Sequence, residues 1–154
     1  QRLLRFARND EPVQMILLLD TSSGMCFLGL ADGDRLLARD SFPVDRTLAS
    51  ILADRIRQFL QATSYQLQAL KKIVVHTGPG SFTSLRIGVT TANALAYALG
   101  IPVVGVAGDV GNLEELLERS KVSPSTAGNV VVPVYARGPD IGPVPGSLAS
   151  VNLD

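Results

Sequence analysis

Residues 15–19, MILLL, form a short continuous apolar run, the pattern of a central strand covered on both faces. The run ends in Asp20-Thr21-Ser22-Ser23-Gly24, a hydroxyl-rich turn, and residues 25–30 read as a second strand. Asp32-Gly33 signals a hairpin, residues 35–42 return as a third strand of mixed polarity, and Pro43 stops it. The period then changes. Leu48, Ile51, Leu52, Ile56, Phe59 and Leu60 fall at helical spacing, with Asp54, Arg55, Arg57 and Gln58 opposite. Asp45 or Thr47 stands where a cap is needed. Residues 73–76 predict a fourth strand, 101–106 a fifth, and 113–119 a short amphipathic helix with acids near its start. Residues 122–129 read as loop, and 130–135 as a last strand that Pro133 confines to an edge or a bulge.

A three-strand meander followed by alternating helices and strands implies a mixed sheet with helices on both faces. Its organising stretch is residues 74–100, VVHTGPGSFTSLRIGVTTANALAYALG. A buried strand leads into a tight loop with Gly78, Pro79 and Gly80, then a helix from about Ser81 or Thr83 to the stop at Gly100. On that helix Gly88, Ala92 and Ala96 share one nearly flat face. A glycine inside a helix costs about 1 kcal/mol relative to alanine, and a second helix packed closely against the flat face would offset it. Leu85 and Val89 lie along the same side; an ordinary core face within this chain explains those two equally well.

Bulk properties narrow the picture further. A chain of 154 residues with 46% hydrophobic and 18% charged residues is expected to be one globular domain, burying roughly 70% of its unfolded surface. The 14 basic and 14 acidic residues balance, whereas a protein holding tRNA alone would show a basic excess or a patch. Cys26 is the sole cysteine, so no internal disulfide can form; it reads as a small buried hydrophobe in a cytoplasmic protein. No apolar run reaches the ~18 residues of a membrane span. Residues 1–14 lack the apolar core of a secretory signal and read as an N-terminal extension or a cloning remnant, 15–137 as the single domain, and 138–154 as a flexible tail.

GPGSFTSLRIG at residues 78–88, following DTSS at 20–23, resembles the TsaB (YeaZ) family over roughly residues 15–106, with a weaker echo in PVYAR at 133–137. That family is related to the sugar-kinase/Hsp70/actin superfamily and serves threonylcarbamoyl-adenosine synthesis on tRNA. The resemblance implies an α/β fold, a ribonuclease-H-like/actin-like mixed five-stranded sheet with helices on both faces, and a second domain that is shortened or missing here. It implies a non-catalytic scaffold that binds a TsaD-like paralogue, alongside a TsaE-like ATPase, and meets tRNA only indirectly. No cofactor or metal is expected on this chain alone. The interface expected from it is Leu85, Arg86, Gly88, Val89, Ala92 and Ala96, a surface that also supports homodimers through the helix 83–99. Gly88→Leu or Ala92→Arg is then expected to abolish pairing and leave the fold intact. The sequence departs from the family at Ser84, where glycine is usual after SFT, and in PVDRTLAS before the first helix, where His-Ser is frequent.

Asp20, Thr21, Ser22 and Ser23, with Gly78 and Gly80, resemble a vestigial phosphate loop of the superfamily. Two plainer readings stand beside it: a hairpin turn capped by its own hydroxyls, and a glycine turn that only aims the helix. Arg86 reads either as a partner contact or as a solvated arginine. One histidine cannot make the HxxxH metal site of the catalytic paralogue, and no nucleophile elbow surrounds Ser81, so His76 reads as a strand-end side chain and hydrolysis is not expected. The alternatives to the scaffold are a small ATP-binding, kinase-like domain using Asp20 and the 78–80 loop, and a homodimeric degenerate paralogue.

Overall fold

The computed structural model describes residues 13–123 and 130–135. The meander consists of β1 (Met15–Asp20), β2 (Met25–Asp32) and β3 (Arg35–Pro43). It is followed by α1 (Leu48–Ala62), β4 (Leu70–Gly78), α2 (Phe82–Leu99), β5 (Val103–Ala107) and α3 (Leu113–Ser120). One five-stranded sheet results, in the order β3-β2-β1-β4-β5. β1 and β3 run antiparallel to β2, while β4 lies parallel to both β1 and β5. This is the ribonuclease-H-like arrangement expected from the resemblance.

The pleat of β1 explains why it sits at the centre. Successive side chains point to opposite faces. Leu17 and Leu19 enter the core shared with α1 and α2, and Ile16 and Leu18 the core under α3. Val75 and Val74 of β4 divide the same way. Burying one such side chain stabilises by about 2 kcal/mol, so MILLL is committed on both faces. The short helix α3 is set by its Leu113, Leu116 and Leu117 stripe and by Asn112, whose side chain accepts the Glu115 N–H at 2.8 Å. Of the two caps expected for α1, Thr47 precedes the helix without a capping bond, and Asp45 instead accepts the Thr47 backbone N–H at 2.7 Å. Gly100 ends α2 in the left-handed region, as its position predicted. Cys26 is fully buried in β2, and burial pushes its thiol up to about 12.

The expected sixth strand is corrected. Residues 130–135 form no strand and lie outside the sheet, because Pro133 lacks an N–H and Val131 spends its backbone elsewhere. The Asn93 side chain accepts the Val131 N–H at 3.0 Å and donates to the Val131 carbonyl at 2.8 Å. Val134 adds one backbone bond to the Thr77 carbonyl, 2.6 Å. Asn93→Ala removes both Val131 bonds at once; the expected cost is about 1–3 kcal/mol, with amide exchange at Val131 rising to the solvent-exposed rate. The readings of residues 1–12, 124–129 and the tail from 138 fall outside the described residues.

Because β1, β4 and β5 are parallel, the loops after them gather at one edge of the sheet. That edge is where open α/β sheets place their sites.

Candidate functional site

The loops after β1 and β4 are locked together. Thr21 is fully buried and its hydroxyl donates to the Ser84 carbonyl at 2.7 Å, joining the end of β1 to the first turn of α2. Gly88 sits directly over Thr21, where a Cβ would collide with Oγ1 and lie 2.9 Å from Cγ2. A Cβ at Gly80 would lie 2.8 Å from that of Ser22 and run into the Ser22 carbonyl, which accepts the Ser81 N–H at 3.0 Å. Gly78, at φ 112°, backs onto Val134, and its own carbonyl accepts the Gly108 N–H at 2.8 Å. Thr21, Gly78 and Gly80 therefore let this chain's own backbone approach closely, while residues 79–81 stay exposed. Of the phosphate-loop residues, Asp20, Ser22 and Ser23 line a shared open space.

That space is a cleft of about 500 Å³ between Asp20, Ser22, Ser23 and the β2–β3 side chains Phe27, Arg39, Asp40 and Ser41, with residues 110–113 as the far wall. Arg39 pairs with Glu114 of α3 across it. Among the described residues no three His, Cys, Asp or Glu side chains stand together as a metal site.

His76 stands behind the cleft, 2% exposed. Its Nε2 lies 2.6 Å from the Gly108 carbonyl; its Nδ1 lies 3.1 Å from Asp20 Oδ1 and 3.0 Å from Ser22 Oγ. Serine and carboxylate share one ring nitrogen while the other is capped, so the ring cannot relay a proton between them as a hydrolytic triad does. Burial pushes the His76 pKa down, but the hydrogen bonds with Asp20 and Gly108 and the Asp20 charge outweigh it and hold the pKa above 6.5. Burial likewise works against the Asp20 carboxylate, and the hydrogen bonds from His76 and Ser22 overcome it, holding the pKa below 3.8.

The two shifts act on stability from opposite ends of the pH scale. The His76 contribution is complete below pH 6.5 and is lost as pH rises through its raised value; that of Asp20 is complete above pH 3.8 and is lost as pH falls through its lowered value. Urea unfolding is expected to give a higher midpoint at about pH 5.5 than at about pH 8.5, with the difference reduced in His76→Gln. The sequence reading missed this cluster. The usable signal was that Asp20 and His76 each follow an apolar run, in strands that lie side by side with Leu19 opposite Val75.

The expected partner face of α2 is corrected too. Leu85, Val89, Ala92 and Ala96 are 0–4% exposed and Gly88 is buried. Val89, Ala92 and Ala96 belong to the core under the sheet. The flat row exists so that α2 can lie close against β1 and β4 of its own chain. Only Arg86 of the six expected interface residues is exposed. The outward face is instead Thr83, Arg86, Thr90, Ala94, Tyr97 and Ala98, and Tyr97 is 91% exposed. Residues 87–108 carry no charged side chain. Between this face and α1, Ala53, Ile56, Leu67, Thr91 and Leu95 help line a groove of about 510 Å³, rimmed by the Arg57–Asp54 pair at 2.9 Å.

A family model described as TsaD: tRNA N6-adenosine threonylcarbamoyltransferase matches residues 44–129. The tRNA threonylcarbamoyladenosine biosynthesis protein TsaB of Bacillus subtilis is 35% identical over 91 residues, 59% of this chain and 40% of that protein. A tRNA N6-adenosine threonylcarbamoyltransferase of Geotalea uraniireducens is 45% identical over 51 residues, 33% of this chain and 15% of that one. The solved structure of YeaZ from Pseudomonas aeruginosa superimposes with a TM-score of 0.56 at 33% identity, covering 61% of this chain and 44% of the other. The chain thus spans less than half the length of these relatives.

Proposed function

The chain belongs to the TsaD family and is similar to the TsaB (YeaZ) proteins, and from that we propose that it is a non-catalytic subunit for threonylcarbamoylation of the tRNA adenosine beside the anticodon. It binds and activates a TsaD-type paralogue, which supplies the acyl transfer, the metal and the tRNA contacts; a TsaE-type ATPase completes the machinery. The observation that carries the partner role is the outward face of α2 beyond Arg86, which is uncharged. A solvent-facing helix normally carries charged side chains there, as α1 does with Asp54 and Arg57. Thr90, Ala94, Tyr97 and Ala98 are exposed with none, and a face of small residues around one aromatic admits a second helix at short range. The balance of acids and bases fits a subunit that leaves tRNA to its partner.

The packing roles of Thr21, Gly78 and Gly80 favour this reading over an autonomous ATP-binding domain. Calorimetry separates them. Titration with the TsaD-type protein of the same host is expected to give a 1:1 complex with a Kd at or below about 1 μM, and titration with ATP and magnesium no heat. Micromolar ATP binding by the chain alone, or a self-associated state that the paralogue does not displace, would overturn the proposal.

A further inference from the structure

Both walls of the cleft hang on one buried ring. On one side His76 Nε2 meets the carbonyl of Gly108, which opens the loop leading to residues 110–113; on the other, Nδ1 faces Asp20 and Ser22. We propose that His76 is a proton-operated pin. Protonated, it ties Asp20 to Gly108 and fixes the spacing of the two walls; neutral, it exchanges Asp20 for Ser22 and releases the Asp20 carboxylate to the cleft.

The chemistry of the partners dictates the exchange. An ionised carboxylate and a carbonyl have no proton to give, so the ring bonds to Asp20 and to Gly108 together only when both nitrogens carry one. When one proton leaves, Nε2 keeps its own, because its partner, the Gly108 carbonyl 2.6 Å away, can only accept, whereas Nδ1 also faces a hydroxyl that can donate. Nδ1 then presents a lone pair to a negative oxygen 3.1 Å away, a repulsive contact. The Ser22 hydroxyl, 3.0 Å from the same nitrogen, can turn and donate. With the ring 2% exposed, water is a poor substitute. Asp20 keeps its bond from the Ser22 N–H at 2.9 Å and lies with its side chain 13% exposed at the cleft.

The charged groups acting on the ring are Asp20 from β1 and Arg119 from α3, whose guanidinium is held by the carbonyls of Ala107 and Asp109 on the same wall. Asp20 favours the proton and Arg119 opposes it; the balance lies upward, which puts the exchange above pH 6.5. This inference stands independently of the tRNA-modification reading, since it concerns the cleft alone.

His76 is the sole histidine, so its imidazole gives a single set of NMR signals. The titration midpoint is expected above 6.5, the ordinary value. Above the midpoint, ring ¹⁵N shifts are expected to report Nε2–H with a bare Nδ1. The amides of Ser22 and Gly108 are expected to move with the same midpoint, and so is that of Gly111, which makes no bond to the ring and sits on the far wall. Asp20→Asn is expected to lower the midpoint by about one pH unit or more. A midpoint at or below the ordinary value, the Nδ1–H tautomer, or amides that stay still through the titration would overturn the pin. The last three readings use the unaltered chain and hold even if Asp20→Asn does not fold.

Discussion

Adding a single methyl group by Gly88→Ala is expected to cost about 3 kcal/mol and to lower Tm by roughly 10 °C. The new Cβ lands on Thr21, a fully buried residue whose hydroxyl is bonded to the Ser84 carbonyl at 2.7 Å. Thr21 cannot retreat, because behind it lies the end of β1, paired with β2 on one side and β4 on the other. Moving it breaks a buried hydrogen bond worth about 1–3 kcal/mol and opens the seam between β1 and α2. The control is Gly24→Ala, where nothing lies within 4 Å of the added atom, with an expected change inside about ±0.5 kcal/mol. Thr21→Ala made together with Gly88→Ala is expected to recover part of the loss, since it removes both atoms in collision. A Gly88→Ala chain that melts within about 2 °C of the wild type would show that the seam yields.

The opposite side of the same helix carries the second large effect. Ala94→Arg is expected to weaken binding of the TsaD-type partner by about 100-fold or more while leaving Tm nearly unchanged. Ala94 is exposed, and arginine is almost as good a helix former as alanine, so the fold has no reason to respond. A partner helix seated there would have to strip water from a guanidinium, and Asp54, the acid on the rim of the same groove, is already paired with Arg57. Equal binding by the variant would move the interface off this face. The contrast with Ala92 is sharp. Two positions back, at 1% exposure, the same substitution puts a charge into the core and is expected to unfold the chain.

These two positions also show what could be read from the sequence. The helical stripe of α1 followed from its repeat of about three and a half residues, and the central placement of MILLL from its unbroken apolar run. The small-residue row of α2 was visible as a row, but its target was not. A flat face says that something approaches closely; it does not say whether that is a foreign helix or the chain's own strand. The deciding fact, Thr21 standing under Gly88, joins residues 67 apart by subtraction and depends on the register of β1 against β4. The Asp20–His76–Ser22 cluster was hidden for the same reason. Residues 130–135 misled in another way: a run of valines looks like a strand, yet Asn93 had already taken the Val131 backbone groups a strand would use.

The central claim is that α2 turns its small residues inward to its own sheet and the uncharged part of its outward face, beyond Arg86, to a partner. Amide hydrogen exchange on the chain alone and with saturating TsaD-type protein tests it most directly. The account predicts new protection concentrated on α1 and on α2 around Thr90, Ala94 and Tyr97, with Thr21 and Gly88 already protected in the free chain. Protection appearing at Thr21 and Gly88 only when the partner binds, with the outward face of α2 unchanged, would contradict it.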